Sequence, residues 1–161
     1  MRYLLVLLAV VCLLGCSTAP AGDLCIHTFK PYPDMVSGRV RTTLNGTYLD
    51  AMAKYSQEDY TGARDGLKHY LEEKGFEKNA HIYLACAYLA TGEPFEAELH
   101  LDHLERASTM QFKDQTEWYT VVCWLCSDQL DRAREGAEKI ASAKAHTYKA
   151  EAAQLLKDLR K

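Results

Sequence analysis

The sequence has little of what a membrane channel, a nucleic-acid-binding protein or a β-sheet protein would need. It contains one long apolar run, and no later segment reaches the roughly 20 apolar residues of a membrane-spanning helix. Its 19 lysine and arginine residues are interleaved with 22 aspartate and glutamate residues, and no basic patch stands out, so nucleic acid is not an expected partner. No alternation of apolar and polar residues persists, which argues against β-strands.

Recognised catalytic and phosphate-binding motifs are also absent. No serine, cysteine or carboxylate lies in a recognised catalytic setting, and there is no glycine-rich phosphate loop. Among six histidines only His100 and His103 pair at helical spacing, with Glu96 one turn before His100. They could hold a metal, but both fall between core positions of a predicted helix, which favours a solvated surface pair. We therefore expect no enzyme, no cofactor and no metal site.

The N-terminal segment is organised like a targeting sequence. Arg2 precedes an apolar run from Leu4 to Leu14, which at eleven residues is too short to cross about 30 Å of hydrocarbon. The run ends in Leu13-Leu14-Gly15-Cys16, which resembles the lipobox of bacterial lipoproteins. The alternative is an ordinary secretory peptide that contains a cysteine.

The lipobox resemblance implies a processing route and a location. Residues 1–15 would be removed as a signal peptide, and Cys16 would carry the lipid that anchors the chain to a membrane. Removal of Arg2 would change the formal net charge from −3 to −4. Because Ser17 rather than aspartate follows Cys16, the resemblance implies the outer membrane of a bacterial envelope, with the protein facing the periplasm.

Residues 16–44 contain few helix signals. Serine, threonine, proline and glycine recur, and Lys30-Pro31-Tyr32-Pro33 enforces extended geometry around two prolines. We interpret this segment as a lipidated tether followed by an irregular N-terminal arm. The arm also has more apolar side chains than a tether needs: Ile26, Phe29, Tyr32, Met35 and Val40.

From residue 45 onwards the apolar residues have helical spacing, and the pattern repeats. Three triplets share one internal spacing, the second 34 residues after the first and the third 36 residues after the second: Ala63, Leu67 and Tyr70; Ala97, Leu101 and Leu104; Ala133, Ala137 and Ile140. A second helical stripe precedes each triplet, and turn residues separate the two stripes. Each unit is therefore predicted to be helix, tight turn, helix, with a small alanine where the helices cross closely.

These units resemble tetratricopeptide repeats. The segment from Leu84 to Ala97 is close to that family's consensus in residue type and spacing, and the segment from Trp118 to Ala133 matches it as well. The resemblance implies an all-α fold, a short right-handed solenoid with three units and a C-terminal capping helix. We place the units at 45–77, 78–111 and 114–147, and the amphipathic capping helix at 146–161. The first turn is predicted to be one residue short, and Asp128 replaces the usual glycine of the third.

The resemblance also implies protein or peptide binding, with the first helix of each unit lining a concave groove. The groove residues would be Leu49, Ala53, Ile82, Cys86, Leu89, Trp118, Val122 and Leu125. The sequence thus predicts a membrane-anchored scaffold or adaptor whose partner is another envelope protein or peptide. The alternative is a structural component that assembles with copies of itself and whose groove is filled internally by the arm. A metal protein or enzyme using His100 and His103 is a third hypothesis.

Four cysteines follow Cys16, and we expect them to behave as small apolar residues in packed helices. Cys123 and Cys126 form a C-x-x-C inside a predicted helix with no histidine after it, which excludes a haem-attachment motif and argues against a thioredoxin-like site. The alternative is a disulfide between Cys86 and either Cys123 or Cys126. The first helices of units two and three should lie side by side, and the predicted compartment is oxidising.

Overall fold

The computed structural model describes residues 20–74, 78–107 and 110–160, and throughout these ranges the regular structure is helical. The helices are α1 (Pro20–Thr28), α2 (Gly46–Ser56), α3 (Tyr60–Lys74), α4 (Lys78–Ala90), α5 (Pro94–Arg106), α6 (Lys113–Cys126), α7 (Leu130–Ser142) and α8 (Lys149–Asp158), with a 3₁₀ turn at Met110–Phe112. The all-α prediction is therefore confirmed. The predicted signal peptide, residues 1–15, and the predicted lipidation site Cys16 lie outside the described residues.

Each helix from α2 to α8 packs mainly against its neighbours in the chain. From α2 to α8, every consecutive pair is in contact, and α4 also contacts α2 and α6. The first helices of the three units thus lie beside one another, with α4 in the middle. This position explains why every residue from Ala80 to Leu89 is buried. The core is continuous along the whole row of helices.

The turn inside each unit has the same length and hydrogen bonding. All three turns have three residues (57–59, 91–93 and 127–129), so the prediction of a shorter first turn is wrong. In each, the last turn residue donates its backbone N–H to a carbonyl five residues earlier: Asp59 to Lys54, Glu93 to Tyr88, and Gln129 to Trp124, at 3.0, 2.9 and 2.8 Å. This is the Schellman arrangement, which requires a left-handed residue just before the donor. Glu58, Gly92 and Asp128 meet that requirement with φ of 60, 79 and 61°.

Small residues bring the two helices of a unit together. Ala63, Ala97 and Ala133 have no exposed surface, as expected for residues at the closest crossing. A Cβ atom on Gly66 would lie 2.8 Å from the Cβ of Ala51, and one on Gly136 would lie 2.5 Å from Val121 Cγ2. The second helix therefore lies directly on the first in units one and three.

The structure corrects both ends of the chain. Residues 20–28, predicted to be irregular, form α1, which packs against α6 and α8. A nine-residue helix has little stability of its own, so this element depends on tertiary contacts that local sequence patterns do not report. The capping helix begins at Lys149 rather than at residue 146. The chain before it forms a loop, in which His146 and Tyr148 make contacts with α6.

Candidate functional site

A stretch of the N-terminal arm lies across the first helices of all three units. We call residues 29–36 the crossing segment. Tyr119 of α6 donates a hydrogen bond to the carbonyl of Lys30 at 3.0 Å. Tyr55 of α2 donates to the carbonyl of Tyr32 at 2.9 Å, and Tyr83 of α4 donates to that of Pro33 at 3.2 Å. The segment therefore contacts α6 at Lys30 and both α2 and α4 at Tyr32 and Pro33, held by tyrosine hydroxyls that bind its main chain.

The spacing of these hydrogen bonds matches the spacing of the repeat. Tyr83 and Tyr119 are 36 residues apart and occupy equivalent positions in units two and three. The carbonyls that they bind are three residues apart, which in an extended chain is about 10 Å. Adjacent packed helices lie about 8–10 Å apart, so the carbonyls of Lys30 and Pro33 can meet units three and two, respectively. Unit one has Leu49 at the equivalent position, and the crossing segment ends in a bend at Val36.

The composition of the crossing segment suits a face that offers few acceptors. Pro31 and Pro33 have no backbone N–H, so two donors that would otherwise need partners do not exist. The N–H of Tyr32 points to the Sγ of Cys86 at 3.5 Å, and that of Met35 donates to the Tyr83 hydroxyl at 3.0 Å. The ring of Tyr32 packs against that of Tyr83, with centroids 5.6 Å apart.

The hydroxyls and the thiol on this face are electrically neutral. Burial, with the neighbouring Cys86 as the next cause, raises the pKa of both Tyr55 and Tyr119 far above the value of an exposed tyrosine. Burial also raises the pKa of Tyr83 to about 12 and that of Cys86 to about 11. All four groups keep their protons at neutral pH. They can therefore hydrogen-bond to a peptide backbone without attracting charged side chains.

The predicted groove residues do not form an open groove. Seven of them are 7% exposed or less, and only Ala53 is exposed. Among them Cys86 faces the crossing segment, whereas the ring of Trp118 stacks on Tyr148, with centroids 5.7 Å apart. The other buried residues are Leu49, Ile82, Leu89, Val122 and Leu125. Their role in partner binding stays a prediction.

Sequence reasoning missed the three tyrosines that hold the crossing segment. Tyr83 and Tyr119 recur at the repeat spacing, and this was the available signal. A tyrosine in an apolar stripe usually indicates core packing. The repeat pattern does not reveal the partner of its hydroxyl, because that partner comes from outside the repeats.

The expectation of four apolar core cysteines is right for Cys86 and Cys123 and wrong for Cys25 and Cys126, and the alternative, a disulfide of Cys86 with Cys123 or Cys126, is wrong. Cys126 pairs with Cys25, with Cα atoms 4.9 Å apart, while Cys86 and Cys123 are free and buried. The reason is that α1 packs against α6 and brings Cys25 to the last residue of α6, whereas the Cys86 thiol faces the crossing segment. Burial raises the pKa of Cys123 well above its usual value, so this thiol is not reactive.

His100 and His103 belong to a cluster that also includes His81. The Nδ1 atoms of His81 and His100 are 3.0 Å apart, and the rings of His81 and His103 stack with centroids 4.9 Å apart. The prediction of a solvated pair is right for His103, which is exposed, but His100 is half-buried against Tyr88. Burial lowers the pKa of both His81 and His100 to about 4, so both rings are neutral at pH 7.

A second cluster joins the start of α6 to the loop before α8. His146 Nε2 lies 3.3 Å from Glu117 Oε2 and 3.8 Å from Asp114 Oδ1, a spacing that could hold a metal ion. However, His146 Nδ1 accepts the N–H of Tyr148 at 3.1 Å. A neutral ring with Nδ1 as acceptor carries its proton on Nε2, which faces the two carboxylates without a regular hydrogen bond and has no lone pair to offer a metal ion. The cluster therefore fits a structural role.

A pocket of about 510 Å³ lies between α5, α6 and α7. Its floor includes Val121 and Trp124, the α5 wall is acidic and the α7 wall is basic, with lining residues that include Glu98, Asp102, Glu105, Arg132 and Lys139. The guanidinium of Arg132 lies 4.4 Å from the centre of the Trp124 ring, whose Nε1 donates to Glu98 at 2.7 Å. The pocket is an accessible surface with an apolar base and walls of opposite charge.

Comparison of the chain with protein-family models, curated proteins and solved structures gave no match. Within the described ranges, no helix has both the length and the apolar character needed to cross a membrane.

Proposed function

We propose that this chain is a lipid-anchored scaffold of the tetratricopeptide-repeat type, attached through Cys16 to the outer membrane of a bacterial envelope and facing the periplasm. It binds another envelope protein or peptide and is not an enzyme. Three units with the same turn, the same alanine at the helix crossing and side-by-side first helices support the repeat assignment.

One observation supports the binding function: the first helices of the three units hold the crossing segment by its main chain. Three tyrosine hydroxyls, one from each first helix, donate to carbonyls of residues 30, 32 and 33. Recognition of an extended chain through main-chain hydrogen bonds is a recurring way in which proteins bind peptides. The chain thus has a peptide-binding surface, and its own arm is the occupant.

Because the concave face is occupied, a second surface is needed for a partner to bind while the arm stays in place. The pocket between α5, α6 and α7 has the required features, because an apolar floor gives affinity and charged walls give orientation. A partner helix with basic side chains toward α5 and acidic side chains toward α7 would complement it.

Site-specific photo-crosslinking in living cells tests this assignment. A photoreactive residue at Glu105, on the exposed rim of the pocket, should give one discrete protein adduct. The same residue at Glu72, an exposed position on α3 outside the pocket, is the matched control and should give none. Equal labelling at the two positions would contradict a partner site in the pocket.

The filled concave face also favours a second function, a structural component that assembles with copies of itself. In that case the adduct at Glu105 would have twice the mass of the chain and would contain no other protein. The two functions are therefore separated by the composition of one crosslinked band.

The anchor is tested separately. Cys16→Ser removes the thiol that would be acylated, so the variant should be left uncleaved or soluble. Detergent partitioning measures this directly. A variant that follows the detergent phase as a processed protein, as efficiently as the parent, would show that the lipobox assignment is mistaken.

A further inference from the structure

A disulfide bond holds the chain just before the crossing segment, and an exposed stretch of chain connects the other end of the segment to α2. Cys25, four residues before Phe29, is bonded to Cys126 at the end of α6. After Val36, which is buried, residues 37–44 are all exposed before α2 begins. Among the described residues, the disulfide is thus the one covalent cross-link between the chain at the start of the segment and the units that it crosses.

The segment itself lies on the surface rather than in the core. Lys30, Pro31, Pro33 and Met35 are exposed, and Val36 is its one fully buried residue. Its departure would uncover the Tyr55, Tyr83 and Tyr119 hydroxyls without separating any consecutive pair from α2 to α8. An uncovered groove is therefore a state that this fold can reach.

The disulfide is positioned where a reductant can reach it. Cys25 and Cys126 are both partly exposed, and Cys126 lines an open depression with Pro94 and Phe95. The two free thiols, Cys86 and Cys123, are buried. Because disulfide exchange requires access to a sulfur atom, a dithiol reductant can act on the Cys25–Cys126 bond, whereas Cys86 and Cys123 are already thiols and are not changed by it.

We propose that the concave face is a redox-gated binding site for an extended, proline-containing aromatic segment of a partner protein, with the crossing segment as its internal competitor. The inference rests on the proposed binding function and adds the partner's chemistry and the gate. In the gating step a dithiol reduces the Cys25–Cys126 bond. The protein S–S bond breaks, the two cysteines gain two protons and two electrons, and the dithiol becomes a disulfide.

The chemistry of the site defines the partner segment. The tyrosine hydroxyls bind main-chain carbonyls, so binding does not depend on most side chains of the segment. Prolines suit the positions of Pro31 and Pro33, because they have no backbone N–H that would need an acceptor on the face. An aromatic residue is favoured between them, where Tyr32 packs on Tyr83. The expected motif is therefore Pro-aromatic-Pro in an extended chain.

Fluorescence anisotropy tests the proposal, with the mature lipidated chain in detergent micelles and a labelled peptide that has the sequence of residues 28–37. We expect the dithiothreitol-reduced chain and the Cys25→Ser variant to bind the peptide at least about tenfold more tightly than the oxidised chain. Tyr119→Phe in the Cys25→Ser background should weaken binding by roughly three- to tenfold, the value of one net hydrogen bond. A peptide with Tyr32→Ala is the matched ligand control and should bind more weakly.

Hydrogen exchange of the Tyr32 and Met35 amides provides a second measurement. Both should exchange faster in Cys25→Ser than in the oxidised chain, while circular dichroism shows that the helices are retained. Equal peptide affinity in both redox states, or no binding and unchanged exchange in a folded Cys25→Ser variant, would overturn the proposal. The adduct at Glu105 is read in the oxidised protein, so failure of the gate and failure of the scaffold function give different results.

Discussion

Three residues determine how each unit turns, and one of them is a glycine. Glu58, Gly92 and Asp128 share a left-handed backbone that side chains disfavour by roughly 1 kcal/mol. Aspartate tolerates this conformation better than glutamate, because its short side chain can hydrogen-bond locally. Backbone strain in the repeats is therefore greatest at Glu58.

Replacing Glu58 with glycine should stabilise the protein. The φ of 60° is unstrained for glycine, so Glu58→Gly should raise the free energy of unfolding by about 0.5–1 kcal/mol. Asp128→Gly should give a smaller gain. Gln57→Gly, one residue earlier and with φ of −92°, is the control and should destabilise. Urea denaturation measures all three, and a loss of stability in Glu58→Gly would contradict the strain at this turn.

His81 and His100 should make stability fall in mild acid. Their folded pKa is about 4, below the 6.5 of an exposed histidine, so the unfolded chain binds protons first as the pH falls. Stability present at pH 7 should decrease between about pH 6.5 and 4, by on the order of 1–2 kcal/mol after allowance for solvent screening. His81→Gln/His100→Gln should flatten this slope in denaturation midpoints. His69→Gln, at an exposed position, should not alter it.

At the scale of helices, close packing and intrinsic helix preference oppose each other. An added methyl group usually favours a helix over glycine, by up to about 1 kcal/mol. Where the partner helix leaves no space, the same methyl group forces the two helices apart. The balance at a given glycine therefore reports whether it lies at a crossing.

Two glycine substitutions of identical chemistry should have opposite effects. Gly66→Ala places a Cβ atom 2.8 Å from the Cβ of Ala51, which cannot rotate away, and should cost about 1–3 kcal/mol. Gly22→Ala in α1 meets nothing within 4 Å and should gain about 0.5 kcal/mol. Thermal melts of the two variants are the measurement. Equal shifts in the same direction would mean that α2 and α3 do not cross as described.

The sequence predicted the helices whose apolar residues are periodic, and it failed where tertiary contacts create the structure. The alanines at 63, 97 and 133 indicated the three units, because residues that pack against a neighbouring helix recur at a regular spacing in the sequence. No such periodicity marks α1 or the crossing segment. Their positions depend on Cys25 meeting Cys126 and on the tyrosine hydroxyls, contacts between residues as much as 101 positions apart.

At the scale of the molecule, the disulfide is the longest-range constraint among the described residues. It joins residues 101 positions apart and so removes much of the conformational freedom of the unfolded chain. Cys126→Ser should lower the free energy of unfolding by about 2–4 kcal/mol. Cys123→Ser, in a buried free thiol of the same helix, is a control that tests core packing alone: it keeps the Cys25–Cys126 bond and should stay as sensitive to reductant as the parent, whereas Cys126→Ser should lose that sensitivity. Denaturation with and without dithiothreitol separates the two, and a reductant-insensitive parent protein would contradict the bond.

The same bond also determines how far the helical units can lie from the lipid anchor. If the lipid is on Cys16, the disulfide-bonded Cys25 is nine positions further along the chain, which corresponds to a distance of at most about 30 Å from the membrane. With the bond cut and the crossing segment released, the free chain would run from Cys16 to α2, which begins at Gly46. Its maximum reach would be about 100 Å. The redox state of this disulfide would then determine whether the helical units stay beside the bilayer or can move far from it.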